Sequence, residues 1–178
     1  MAGTLMITKR LCSGALGAAF LFQAFAGNAA AAPQPKPPVG IKLTQDRLVL
    51  VAGSRSGATF LEPDSIAWTG AAAIVTTYTV FEPPHAIAEG KIVVQGVNRH
   101  RIDCAAHTRQ DLGSEGYDEA GKSLVWLPER PAEPIPPNSA YDFVAKVVCE
   151  KVELPASNIV QGYVAARALA LRMLARKP

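Results

Sequence analysis

Residues 71–81 read AAAIVTTYTVF, and this stretch decides the fold class because it predicts a long β-strand. Nearly every position from Ile74 to Phe81 is β-branched or aromatic, a composition that favours a half-buried strand. Glu82 and two prolines follow at once. Because proline cannot donate a backbone hydrogen bond within a sheet, we expect the strand to stop there.

Shorter strand signals lie on both sides of this stretch. They cover Arg47–Ala52, Ala58–Leu61, Ser65–Trp68, Lys91–Thr108 and Ser123–Leu127. The longest is predicted as one strand or a bent pair, with Gly96 at a bulge. Turn-forming residues fill Gly53–Gly57 and Leu112–Ala120. Since no helical pattern separates these segments, we predict an antiparallel sheet of about five to six strands, connected as a meander.

The chain changes character after Pro128–Pro137, which holds five prolines in ten residues and is predicted to run extended over the surface. Ser139 is a good helix cap, and Asp142 three residues later completes a pattern similar to a capping box. The apolar residues that follow have helical spacing and end beside Cys149. Because valine is frequent here, a strand over Phe143–Val152 stays open as an alternative.

A second helix is predicted from about Asn158 to Ala175, within a basic amphipathic segment of residues 155–178. Its apolar stripe holds Val160, Tyr163, Val164, Leu171 and Leu174, with Arg167 at its centre. Two interpretations of this helix stay open. Either it docks on the core, or it binds a partner protein or an anionic surface. The candidate partner-binding residues are Gln161, Arg167, Arg172 and Arg176.

The first 31 residues have the order of a secretory signal peptide. Lys9 and Arg10 precede an apolar run from Leu11 to Phe25, and small residues follow it up to a predicted cleavage site after Ala31. The run is ~15 residues, shorter than the ~20 that a membrane helix needs. We therefore expect a periplasmic, secreted or cell-surface protein without a transmembrane span after cleavage.

The exported chain is predicted to consist of a proline-rich leader (32–45), the sheet domain with its helix (46–154) and the basic helical segment (155–178). Removing Lys9 and Arg10 leaves 16 basic residues against 15 acidic ones, a net charge of +1. This balance gives no sign of nucleic-acid binding.

Residues 99–110 read RHRIDCAAHTRQ and place Cys104 between two histidines. A metal site, a reactive thiol and a disulfide are all compatible with these residue types. The exported chain keeps two cysteines, Cys104 and Cys149, and an even pair in an oxidising compartment favours the disulfide. In a strand, His100 and His107 would face opposite sides, which disfavours a shared metal. The histidines are then expected to be exposed or half-buried.

The sequence contains no recognisable catalytic set. The serines of Gly53–Gly57 are misplaced for a nucleophile elbow, and neither a phosphate loop nor a dinucleotide fingerprint occurs. Asp118 and Glu119 are interpreted as solvated turn residues. We therefore predict no catalytic residues, no metal site and no cofactor. An enzyme of unrecognised type would need Asp103, His107 or Tyr117 to meet in a pocket.

Several short motifs resemble those of the surface-adhesin protein E-like family of small exported bacterial proteins. They are Asp64-Ser65-Ile66 with Gly70, Ile102-Asp103-Cys104, Tyr117-Asp118 with Gly121, Pro137-Asn138-Ser139, and Cys149, within a match from about Arg47 to Cys149. The resemblance implies an α+β fold in which one disulfide ties a helix to an antiparallel sheet. It also implies an adhesive role, since named members bind host matrix and serum proteins.

Our functional hypothesis is an exported, non-enzymatic binding module of the cell envelope that holds an extracellular or envelope macromolecule. A structural envelope protein without a dedicated ligand and an envelope enzyme are the alternatives.

Overall fold

The computed structural model describes residues 41–87 and 90–175. The predicted signal peptide, residues 1–31, and residues 32–40 of the predicted leader lie outside the described residues, as does Arg176.

The described part of the chain contains eight strands and two α-helices. In chain order they are β1 (Arg47–Ser54), β2 (Gly57–Thr69), β3 (Ala72–Ala86), β4 (Ile92–Asp103), β5 (Thr108–Tyr117), β6 (Ser123–Leu127), β7 (Glu133–Pro134), α1 (Ala140–Cys149), β8 (Ile159–Gln161) and α2 (Gly162–Ala175). The strands form one antiparallel sheet in the order β6-β5-β4-β3-β2-β1-β8, and β7 pairs with the opposite end of β5 from β6. This α+β meander confirms the predicted fold class, with more strands than the five to six expected.

Strand β5 accounts for part of the difference, because the turn predicted over Leu112–Ala120 is strand as far as Tyr117 and begins only at Asp118. Two glycines there were read as turn residues, but they lie inside the strand and allow close packing instead. A Cβ at Gly116 would lie 2.9 Å from Val125 Cγ1 and 3.0 Å from Val93 Cγ1. A Cβ at Gly113 would lie 2.9 Å from Ile41 Cδ1. Small residues can therefore mark a crowded strand as well as a turn.

Strands β2 and β3 are both longer than predicted, because interruptions in pairing replace the expected strand ends. The β2–β3 register shifts between Glu62 and Ala67, and Ser65 bridges the gap. Its hydroxyl donates to Glu62 O (2.7 Å) and accepts from Thr76 N (2.9 Å). The β3–β4 register shifts between Val80 and His85. Pro83 and Pro84 lie in this gap, where no backbone N–H has to donate to the neighbouring strand. The strand continues past the two prolines, so His85 lies within β3.

Two hydrophobic clusters occupy opposite faces of the sheet. The first packs under α1 and consists of Leu61, Ala73, Val75, Ile102, Ile135, Val144, Ala145 and Val148. The second packs under α2 and consists of Ile41, Leu48, Leu50, Ala58, Phe60, Tyr78, Val80, Val97, Tyr117, Ala166 and Ala170. Phe60 and Leu61 are neighbours on β2 and belong to different clusters, as strand alternation requires. We call the two sides the α1 face and the α2 face.

Helix α1 begins where the sequence predicts and is a helix rather than the alternative strand. Ser139 is its N-cap, with its hydroxyl accepting from Asp142 N at 3.1 Å. The Asp142 carboxylate accepts in turn from Asn138 N at 2.9 Å. This is a shifted capping box, since the returning bond reaches the residue before the cap.

Helix α2 begins at Gly162 rather than near Asn158. The three residues before it form β8, which pairs with Arg47–Val49 of β1. Gly162 has a φ of 72° and donates its N–H to Asp46 O (2.9 Å), so the chain turns sharply from strand into helix.

The sheet ends on both sides in short strands. Edge strand β8 has 3 residues and edge strand β6 has 5. Beyond the end of β8, Asn158 Nδ2 donates to Leu50 O at 3.1 Å, so a side chain satisfies a backbone group that the edge would otherwise leave open.

Candidate functional site

Cys104 and Cys149 form a disulfide, as predicted. Cys104 lies in the β4–β5 turn and Cys149 is the last residue of α1, with their Cα atoms 5.6 Å apart. The bond ties the helix to the sheet. In the described ranges 41–87 and 90–175, no group of three or more histidine, cysteine, aspartate or glutamate side chains could hold a metal ion.

His100 is buried, and the expectation of an exposed or half-buried histidine is wrong for this residue. Its ring lies between β4 and α1, 4.8 Å from the Tyr141 ring in an edge-to-face contact. Nδ1 lies 2.8 Å from Asp111 Oδ1, and Nε2 lies 3.1 Å from Thr77 Oγ1. Both ring nitrogens therefore have partners, which is what permits the burial.

Burial lowers the pKa of His100, although its contact with Asp111 acts in the opposite direction. The neutral ring can donate from Nδ1 to Asp111 and accept the Thr77 hydroxyl proton at Nε2. The hydrogen bond from His100 lowers the pKa of Asp111. Arg109 completes the cluster, because its guanidinium lies 3.6 Å over the Tyr141 ring and also pairs with Glu133.

The order of Thr77, His100 and Asp111 is that of a nucleophile, a base and an orienting carboxylate. Their burial argues against that role, since Thr77 is 0% exposed and His100 is 1% exposed. Neither lines the cavities of about 420, 160, 190 and 220 Å³ found among the described residues. A substrate could not reach the hydroxyl, so the three side chains join the sheet to α1.

The residues named for an unrecognised enzyme do not converge. Asp103 lines a cavity of about 220 Å³, but its carboxylate accepts from Ala105 N and Ala106 N and so shapes the β4–β5 turn. His107 lies 3.5 Å from Asp142. Tyr117 is buried in the cluster on the α2 face.

The three candidate partner-binding residues that the structure describes have different surroundings. Gln161 belongs to β8 and donates to Gln45 O at 2.6 Å. Arg167 is mostly buried and pairs with Glu119 at 2.9 Å. Arg172 is exposed near the end of α2, and Arg176 lies outside the described residues.

The predicted apolar stripe of α2 is also wrong in part. Val164 is 63% exposed, whereas the helix docks through Ala166 and Ala170, which are both fully buried. Small side chains let the helix backbone approach the sheet closely. The sequence prediction placed Val164 on the buried side because it is hydrophobic, but the side that faces the sheet carries alanines.

A cavity on the α1 face lies beside the N-terminus of the helix. Its volume is about 420 Å³. It opens where α1 stops covering the sheet, beyond the row formed by Thr77 and His100. The next α1-face residues along the two central strands, Thr79 and Asn98, form its floor. We call this cavity the α1-face cleft.

The walls of the α1-face cleft come from two separate segments. The β1–β2 turn supplies Ser54 and Ser56, whose hydroxyls lie 2.9 Å apart. The start of α1 supplies Asn138, Tyr141 and Phe143. Asn138 adopts a φ of 60°, a left-handed conformation that asparagine tolerates better than most residues.

The α1-face cleft is lined by polar groups, among them the His85 imidazole. No aspartate, glutamate, lysine or arginine is among the described residues that line it. Half of the lining residues carry a hydroxyl or an amide, namely Ser54, Ser56, Thr59, Thr79, Asn98, Asn138 and Tyr141. Hydroxyls and amides both donate and accept hydrogen bonds, so the cleft suits a neutral polar ligand.

A second depression of about 160 Å³ adjoins the α1-face cleft and shares Phe81, His85 and Asn98 with it. Phe81 leans over Gly96, where an added Cβ would lie 3.3 Å from its ring. No sequence motif marks the floor residues of the cleft as binding residues. The one available signal lies on the α1 face of β3, where the side chains change from Val75 to two threonines and then to Phe81.

Three solved structures are similar to this chain. The structure of Haemophilus influenzae protein E is 14% identical, covers 66% of this chain and 92% of its own, and has a TM-score of 0.45. Crystal form II of Haemophilus influenzae protein E is 13% identical, with coverages of 67% and 98% and a TM-score of 0.47. Protein E from non-typeable Haemophilus influenzae is 14% identical, with coverages of 66% and 83% and a TM-score of 0.40. No curated protein matches the chain.

The sequence model of the surface-adhesin protein E family matches residues 48–150. This match covers more than half of the chain and runs from β1 to the residue after α1. It includes both disulfide cysteines and the N-cap of α1. The chain therefore belongs to the surface-adhesin protein E family.

Proposed function

We propose that this protein is an exported, non-enzymatic binding module of the cell envelope that holds an extracellular macromolecule. The observation that carries the proposal is the family match over residues 48–150, since the family is described as a surface adhesin. Adhesion requires an exposed recognition surface and no chemical step.

Two features support export. The first 31 residues have the pattern of a signal peptide, and the Cys104–Cys149 bond is of a kind that persists in oxidising compartments. Within residues 41–87 and 90–175, the structure contains no helix that is long and apolar enough to cross a membrane.

Two further features favour binding over turnover. The arrangement closest to a catalytic triad is sealed between the sheet and α1, where Thr77 and His100 are fully buried. The α1-face cleft is open, but it offers hydroxyls and amides rather than an activated nucleophile or a paired acid and base.

The basic end of α2 is proposed as a second contact. Arg172 is exposed and has no ion pair within the described residues. The partner-binding role of Gln161, Arg167 and Arg176 stays part of the same proposal, although the structure gives Gln161 and Arg167 intramolecular partners.

The proposal is tested with protein purified after export. Mass spectrometry of this material should find Ala32 at its N-terminus and the two cysteines joined. Surface plasmon resonance against a panel of extracellular-matrix and serum proteins should then find at least one saturable interaction. If Arg172 is a contact, Arg172→Glu should weaken that interaction, whereas Lys122→Glu, the same charge change in the β5–β6 turn, should not.

Each part of the proposal has its own contrary outcome. Retention of the first 31 residues would contradict cleavage of the signal peptide, and native protein found in the cytoplasm with both cysteines reduced would contradict export. If the folded protein binds nothing on the panel and retains nothing from matrix or envelope extracts, the binding function is wrong. Equal binding by the two charge variants would remove only the α2 contact.

A further inference from the structure

We propose that the α1-face cleft binds a neutral carbohydrate, with Thr79 and Asn98 hydrogen-bonding to sugar hydroxyls and Phe143 packing against the sugar ring. This inference rests on the proposed binding function and specifies its ligand class: a neutral glycan carried by the extracellular partner.

The lack of charge in the cleft is the first argument. Charged residues make up 19% of the sequence, yet none of the described residues lining the cleft is an aspartate, glutamate, lysine or arginine. A site for phosphate, sulfate or a carboxylate sugar would be expected to present arginine or lysine. A site for a cationic ligand would be expected to present a carboxylate. The lining therefore favours a ligand that is polar and neutral.

The floor of the cleft has unused hydrogen-bonding capacity. Thr79 and Asn98 are half-buried, and neither side chain has a hydrogen-bond partner among the residues that the structure describes. Threonine offers one hydroxyl, and asparagine offers two N–H donors and one carbonyl acceptor. Thr77 is the cross-strand partner of Asn98, so the free groups continue directly from the satisfied row under α1. A sugar carries several hydroxyls on adjacent carbons and matches such a mixed donor and acceptor surface.

An aromatic side chain stands at the edge of this polar floor. Phe143 lines the cleft and is 42% exposed although it lies in the first turns of α1, and Lys146 Nζ lies 5.4 Å from the centroid of its ring. Phe81 lines the other side and continues into the adjoining depression. The face of an aromatic ring is electron-rich and attracts the weakly positive C–H groups on one side of a sugar ring. A polar floor beside an aromatic wall is therefore suited to an amphipathic ring rather than to an apolar chain.

The position and size of the cleft also restrict the ligand. Its volume of about 420 Å³ lies within the roughly 300–1,000 Å³ of small-ligand sites. The cleft lies on the face of the sheet and not at an edge, so a peptide strand could not extend the sheet there.

The experiment uses the exported protein labelled with ¹⁵N and a panel of free sugars. The neutral members are glucose, galactose, N-acetylglucosamine, lactose, cellobiose and chitobiose, and the charged members are sialyllactose and a heparin disaccharide. At least one neutral sugar should shift the amide signals of residues around Thr79, Asn98 and Phe143. The charged sugars should bind more weakly or not at all.

Variants test which side chains make the contact. Asn98→Ala and Phe143→Ala should each weaken sugar binding by about tenfold, a reasonable effect for losing hydrogen bonds or a ring contact. Trp68→Ala removes another exposed aromatic residue and serves as the matched control, because it lies outside the cleft. Thr79→Val keeps the side-chain shape and should weaken binding, whereas Thr69→Val at the exposed end of β2 should not.

Different results overturn the inference and the proposed function. No shift at the cleft with any neutral sugar, tighter binding of the charged sugars, or unchanged binding by the cleft variants overturns the carbohydrate inference. So does a macromolecular partner that binds equally well before and after enzymatic removal of its glycans, in which case the binding function survives. Sugar binding in the cleft without any macromolecular partner supports the inference and overturns the proposed function.

Discussion

Removing the disulfide should lower the stability of the fold by an amount that follows from the position of the bond in the chain. The perturbation is the double variant Cys104→Ala/Cys149→Ala. The two cysteines are 45 residues apart. Closing a loop of this length destabilises the unfolded state through lost chain entropy by about 4 kcal/mol at 25 °C. Val144 and Val148 of α1 pack against the sheet independently of the bond, so the folded helix should stay in place.

The assay is thermal and urea unfolding followed by circular dichroism. For a domain of roughly 150 residues, 4 kcal/mol corresponds to a Tm about 12 °C lower. The urea dependence of the unfolding free energy should become steeper, because the unfolded variant exposes more surface than the cross-linked chain. Wild-type protein in reductant is the matched control and should behave like the variant.

Two results would refute this reasoning. A double variant that melts within about 3 °C of the oxidised wild type would show that the bond does not restrain the unfolded chain. A large loss of Tm accompanied by loss of the His100–Tyr141 contact in amide spectra would show that the bond holds α1 in place.

Three further predictions concern single sites. Gly57→Ala should destabilise the fold by more than about 3 kcal/mol in urea unfolding, because a Cβ there would lie 2.0 Å from Val80 O. Gly70→Ala should destabilise it by only about 1 kcal/mol, because no atom lies within 4 Å of the added Cβ. Similar losses of stability in the two variants would contradict this argument. Ser139→Ala should lower the free energy of unfolding by about 1 kcal/mol, because the hydroxyl that caps α1 is removed. An unchanged free energy of unfolding would show that the backbone alone caps the helix. The unfolding free energy should fall as the pH drops below about 6.5, because the lowered pKa of His100 keeps its ring neutral in the folded state while the ring binds a proton in the unfolded state. The slope should approach about 1.4 kcal/mol per pH unit. The slope should be flatter in His100→Gln.

The parts of the fold that sequence predicted share a simple physical basis. Strand β3 was found because its β-branched and aromatic residues suit a pleated, half-buried surface, and α1 was found because Ser139 and Asp142 form a local cap. The cysteine pair needed only the compartment and an even count. In each case the information is contained within a short segment.

The parts that sequence missed depend on contacts between distant segments. Strand β5 was read as a turn because the crowding by Val93 and Val125 that requires Gly116 comes from other strands. His100 is buried because Asp111 and Thr77 satisfy its ring from two neighbouring strands. Nothing within four residues of His100 predicts either partner.

The α1-face cleft was missed for the same reason. Its floor comes from β3 and β4, and its walls come from the β1–β2 turn and the start of α1. Taken singly, Thr79 and Asn98 are unremarkable polar strand residues. Their role depends on where α1 stops covering the sheet, which is set by the length of the helix and by the point at which it is anchored.

The short length of the two outermost strands affects how this protein behaves when many copies are crowded together. A long bare strand at the border of a sheet is a template on which a second molecule can polymerise. Here the borders are 3 and 5 residues long, and Asn158 occupies a backbone carbonyl just past the shorter one. Many copies could therefore be crowded together without joining into fibres.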